Sequence, residues 1–151
     1  MDLAILWDLF THCIEASQIL GIDEALRAEW IAARDRLYSP RIGRHGQLQE
    51  WYTDWDDPDD HHRHQSHLFG VYPGSQITRR GTPELLAAAQ RSLELRGDGG
   101  TGWSMGWKIN FWARLRDGGN ALTMLNNQLR LTGSDITEYD GGGTYPNLFD
   151  A

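Results

Sequence analysis

The sequence predicts an all-α fold built from helical hairpins. Three observations carry this. Apolar residues recur at helical spacing over several stretches. Helix start and stop residues fall at the ends of those stretches. No stretch reads as a convincing strand.

The elements follow in chain order. Residues 3–20 place Leu3, Leu6, Leu9, Phe10, Cys13, Ile14, Ser17 and Leu20 at mostly helical spacing, and Gly21 supplies the stop. Asp23 is the expected cap of a second helix over residues 24–37, carried by Leu26, Trp30, Ala33 and Leu37 and ended by Ser39-Pro40. The tight connection makes the pair an αα-hairpin. Residues 41–62 lack helical periodicity and read as a loop. A short helix is expected over residues 64–71, stopped by Tyr72-Pro73-Gly74. Residues 82–96 open with Thr82 as cap, Pro83 at the first helical position and Glu84 in the first turn. GDGGTG is a loop. Residues 103–115 carry Trp103, Trp107, Phe111 and Leu115 along one helix face. After the turn at residues 116–119 comes a last helix over residues 120–131. The Gly-rich tail, residues 132–151, reads as loop. Several helices, 103–115 above all, are apolar over more than one stripe, which suits helices packed on two sides in a layered toroid.

Composition narrows the function classes. The chain has 151 residues, within the range of one domain. Its formal net charge of −7 argues against a nucleic acid partner, because phosphate binding needs a basic footprint. Cys13 is the sole cysteine, so no intrachain disulfide forms. No apolar run approaches the ~20 residues of a membrane span. The opening MDLAILWDLF lacks the basic segment of a signal peptide and looks like a helix already under way. Seven tryptophans are many for this length. Indoles pack cores, and they also stack on sugar rings.

The densest chemistry lies in LQEWYTDWDDPDDHHRHQSHLFGVYPG, residues 48–74. A calcium loop starting at Asp54 would need an oxygen ligand at Pro58, and it lacks the required Gly. His61, His64 and His67 recur every three residues, as zinc ligands on one helix face could, but neither HExxH nor a Cys cluster accompanies them. Asp56, Asp57, Asp59 and Asp60 are expected in a solvated loop around Pro58. Glu50, next to Trp51, has two readings. It is a surface glutamate in a turn, or a carboxyl partly desolvated against an indole, whose charged form is disfavoured and which then serves as a general acid. Arg63, His64 and His67 are solvated or core residues, or together hold sugar hydroxyls by directed hydrogen bonds. Trp103 and Trp107, with Lys108 between the next turns, read first as core.

Taken together, LQEWYTDWDD, HRHQSHLFGVYPG, GTGWSMGWKINFWARLRDGGNAL and the terminal YPNLFDA resemble glycoside hydrolase family 95, the inverting α-L-fucosidases, some of which act on α-L-galactosides. The resemblance covers essentially the whole chain. It implies an (α/α)6 barrel, of which these residues form a central part, and a fucosylated oligosaccharide or glycan as substrate. It implies Glu50 as general acid and Arg63 and His64 as sugar contacts, with Trp51 and His67 as further substrate-binding positions inside the same motifs. It requires no cofactor and no metal. A secreted or periplasmic location agrees with the family.

The family's remaining machinery, an asparagine pair and an aspartate, is expected before Met1 and a few residues beyond Ala151. Asp150 belongs to the YPNLFDA motif and is not that aspartate. The chain's further partners are then the missing parts of its own domain. Helix faces meant for those neighbours favour association when uncovered. Two alternatives stand beside this reading: another sugar hydrolase on the same barrel, such as an α-L-galactosidase, and a non-catalytic helical carbohydrate-binding module.

Overall fold

The computed structural model describes residues 1–132 and 142–151. Among these residues the regular elements are five α-helices and a short 3-10 turn, Ser66–Gly70. The helices are α1 (Asp2–Leu20), α2 (Glu24–Arg34), α3 (Pro83–Arg96), α4 (Gly102–Leu115) and α5 (Gly118–Gln128). The described chain is all-α apart from isolated bridges. The part of the expected tail loop at residues 133–141 lies outside the described residues.

Helix α1 ends where Gly21 turns left-handed, with φ 68°, and donates its N–H to the Ser17 carbonyl. Only glycine adopts that conformation without strain. Asp23 does not cap α2 through its side chain. It sits at φ 55° and its carboxylate makes no cap hydrogen bond. Aspartate tolerates that region better than most residues. Helix α2 stops at Arg34, short of the expected Leu37, because its last turn tightens: Leu37 N–H donates to the Arg34 carbonyl at 3.0 Å.

Thr82 precedes α3, but its hydroxyl accepts the Thr78 N–H at 2.8 Å rather than capping the helix. Helix α5 starts two residues before the expected position. Asp117 caps it by accepting the Asn120 N–H at 2.9 Å, and the two glycines after it form the first turn. It also ends early, because the chain after it turns to pair with a distant segment. Thr144 N–H reaches the Arg130 carbonyl at 2.6 Å, and Thr132 N–H reaches the Thr144 carbonyl at 3.0 Å. The expected helix over residues 64–71 is only the 3-10 turn.

The core gathers Leu86, Ala89 and Leu93 of α3, Phe111 and Trp112 of α4, and Met124 of α5 around Leu48, Leu68, Val71 and Ile77. Helix α4 packs against both α3 and α5, as its two-sided apolar pattern predicts. The N-terminus of α4 receives the C-terminal segment. The Gly102 N–H donates to the Ala151 carbonyl at 2.7 Å, and a Cβ at Gly102 would collide with the Asp150 carboxylate. Glycine is required there for this close approach. Helices α1 and α2 pack on each other, and α1 touches the 3-10 turn. Yet α1 buries only Ile14 and Ser17, and α2 buries no residue. No described helix is long and apolar enough to cross a membrane.

Candidate active site

The site grows from the way residues 47–50 are fastened to α3. The Leu48 N–H reaches both the Ala88 carbonyl, at 3.1 Å, and the Ser92 hydroxyl, at 3.0 Å. One helical turn further on, Arg96 lies on the same face of α3 and meets Glu50. Its Nη2 donates to Glu50 Oε2 at 2.6 Å. A charge-assisted hydrogen bond this short is among the stronger polar contacts a protein makes. The same Nη2 lies 3.3 Å from Asp60 Oδ2. Nη1 donates to the carbonyls of His62 and His64 at 3.0 and 3.4 Å.

Glu50 is thus held first by a guanidinium. Trp51 is 56% exposed, and the nearest cation to the carboxylate is the Arg96 guanidinium. His67 completes the group, with Nδ1 3.5 Å from the same Oε2. Its side chain is nearly enclosed. Burial, assisted by the Arg96 charge, pushes the imidazole down to about 3. His67 is neutral at ordinary pH, so its contact with Glu50 is not an ion pair. His64 is also held below the usual histidine value, by burial first and then by Arg63 and His62.

The acidic run is only partly the solvated loop that the sequence suggests. The buried Gln47 amide donates to Asp54 Oδ1 at 3.0 Å and Asp56 Oδ2 at 2.7 Å. The Glu50 N–H also points at Asp56 Oδ2, at 3.3 Å. Asp54 accepts the Arg44 N–H at 2.7 Å, which lowers its carboxyl below the usual range. Asp56 and Asp60 thus shape the loop around Glu50, although Asp60, like Asp57 and Asp59, stays exposed. Among the described residues no three His, Cys, Asp or Glu side chains are gathered as metal ligands. His67 faces Glu50, and His61 lies beside Gly97.

Two clefts flank this cluster. One, of about 230 Å³, includes Glu50, Trp51 and His67 with Tyr38, Tyr52 and Gln76. The other, of about 260 Å³, includes Arg63 and His64 with Phe69, Trp103, Trp107 and Lys108. The structure brings Glu50, Trp51 and His67 together and sets Arg63 and His64 in the neighbouring cleft. Arg96 links the two groups. The aromatic stripe of α4 is divided: Phe111 is 1% exposed and Trp103 70%. Lys108 is buried and donates from Nζ to the Gly97 and Gly99 carbonyls at 2.7 and 2.6 Å. It pins the loop that follows Arg96. Sequence reasoning missed Arg96. Its one signal was a basic residue in the last turn of α3, which reads equally as a partner of the helix dipole.

Clefts walled by indoles beside a held carboxyl suit a helical glycosidase domain. Comparison with known proteins makes this specific. Residues 1–151 match the Glycosyl hydrolase family 95 catalytic domain, and the chain belongs to that family. It is 41% identical to Alpha-L-fucosidase 2 of Arabidopsis thaliana over 152 residues, covering 100% of this chain and 18% of that protein. It is 34% identical to Probable alpha-fucosidase A of Aspergillus niger over 119 residues, covering 74% and 15% of the two chains. The Aspergillus oryzae protein of the same name is 30% identical over 168 residues, covering 96% and 22%. The chain thus spans less than a quarter of each relative. Its helices agree with a part of a helical barrel.

Proposed function

We propose that this chain supplies the acid side of an inverting α-L-fucosidase site within a larger helical catalytic domain. Glu50 is the general acid. It gives its proton to the glycosidic oxygen as the bond to the anomeric carbon breaks. A water on the opposite sugar face attacks that carbon and gives up a proton to a base. Glu50 is then reprotonated from solvent, so the cycle closes. Arg63 and His64 orient the sugar through directed hydrogen bonds, and Trp51 and His67 line the acid's cleft.

The observation that carries this reading is Glu50 in the wall of a cleft that Trp51 and His67 also line. Inversion needs a second group roughly 6.5–9.5 Å from the acid, with room for water between them. Asp56 and Asp60 are engaged by Gln47 and Arg96 in shaping the loop on the acid's own side. From the resemblance to the family, the water-activating machinery is expected outside these 151 residues, and the chain alone is then expected to be inactive.

The test is Glu50→Gln in the full-length protein, assayed on a fucosylated oligosaccharide. We expect kcat to fall by about 10²–10⁴, the usual contribution of a positioned proton donor. Unchanged turnover would remove Glu50 from the role. A panel including α-L-galactosides decides the sugar: faster cleavage of those than of the fucosides rejects the fucosidase reading.

A further inference from the structure

We infer that Arg96 is a positioning residue that fixes which oxygen of Glu50 delivers the proton, and ties that oxygen to the segment that contacts the sugar. The inference rests on Glu50 being the acid. Arg96 Nη2 and His67 Nδ1 both approach Oε2, at 2.6 and 3.5 Å. Oε1 is left to carry the transferable proton. A carboxyl free to rotate about its last bond presents either oxygen. One whose Oε2 is held by a guanidinium does not.

The other half of the guanidinium sets the second distance. Nη1 reaches the His62 and His64 carbonyls, on either side of Arg63. One planar group therefore spans the carboxyl and the backbone of the Arg63–His64 segment. The fork of an arginine is rigid, so the two sets of contacts move together. Asp60 Oδ2 lies 3.3 Å from Nη2 and Lys108 pins the Gly97 and Gly99 carbonyls just after Arg96, so the fork is itself anchored. A lysine could replace the charge but not the bridge.

The experiment uses the full-length protein and two substrates, a fucosyl oligosaccharide and fucosyl fluoride. The oligosaccharide leaves as a poor leaving group and needs the proton, while fluoride needs it far less. Arg96→Lys is expected to lower kcat on the oligosaccharide by roughly 100-fold, the usual penalty of misplacing a catalytic group by about an ångström. On the fluoride it is expected to lower kcat by less than about fivefold, since an interaction made only through the acid is lost only where the acid is used. Paired with Glu50→Gln, Arg96→Lys should add little further loss.

Equal losses on both substrates, or full additivity with Glu50→Gln, would make Arg96 a structural residue and overturn the inference. No loss would overturn it as well. If Glu50→Gln itself leaves oligosaccharide turnover intact, the acid assignment fails first, and that outcome is distinct from the others. Arg96→Met provides a second variant. A melting temperature that drops without selectivity between the two substrates also counts against the proposal.

Discussion

The α1–α2 hairpin and the α3–α5 body are written in similar helical patterns and meet opposite fates. In the body, Leu93, Phe111 and Met124 close on each other and on Leu68. In the hairpin, Leu3, Leu6, Leu9 and Leu20 stay exposed, Leu9 at 52%. Periodicity tells which face of a helix needs cover. It does not say whether the cover lies in the same stretch of chain. The body carries its cover within these residues. The hairpin's apolar face is the kind that a neighbouring helix layer buries.

Breaking the body should have the largest effect. Phe111→Ala is expected to cost about 3–5 kcal/mol, the range for emptying a packed aromatic site. Urea unfolding of the full-length protein measures it, and a cost below about 1 kcal/mol would show that the body is not the core.

Acid probes the seam between the body and the loop above it. His67 has a folded pKa of about 3, below its ordinary 6.5. Below pH 6.5 the unfolded chain binds a proton at this position that the folded chain does not. The contribution is thus fully present above 6.5 and is lost as pH falls toward 3, at about 1.4 kcal/mol per pH unit. Between pH 6.5 and 5 the loss is about 2 kcal/mol on that slope. Thermal melts across this range should steepen with acid, and His67→Gln should flatten the dependence. An unchanged slope in that variant would move the acid sensitivity elsewhere.

The smallest effect sharpens the comparison most. Leu9→Ala in the full-length protein is expected to cost about 1–2 kcal/mol if a neighbouring helix layer covers the hairpin there. A cost of about zero would make the hairpin a true surface element.

The helices were legible because their signals are local. Gly21 marks the end of α1, and Pro83 with Glu84 marks the start of α3. Boundaries slipped where tertiary pairing overrode local preference. Helix α5 stops at Gln128 because the following residues pair with Thr144. In the proposed site, the motif singles out Glu50 as the candidate acid, whereas the Arg96 contact to its carboxylate could not be read from the sequence. The motif offers the adjacent Trp51 as a neighbour but gives no sign of Arg96, which is far off in sequence and brought close by the docking of Leu48 on Ser92. Contacts between distant segments depend on packing that a local pattern does not record.

The link from Gly102 to the Ala151 carbonyl has a consequence for the order in which the molecule is made. During synthesis, α4 leaves the ribosome with its first N–H still unpaired by its final partner. Its Lys108 can meet the Gly97 and Gly99 carbonyls early, because that connection is local. The seat at Gly102 fills only when the much later segment arrives. The wall that presents Trp103 thus depends on residues made after every group of the clamp on Glu50.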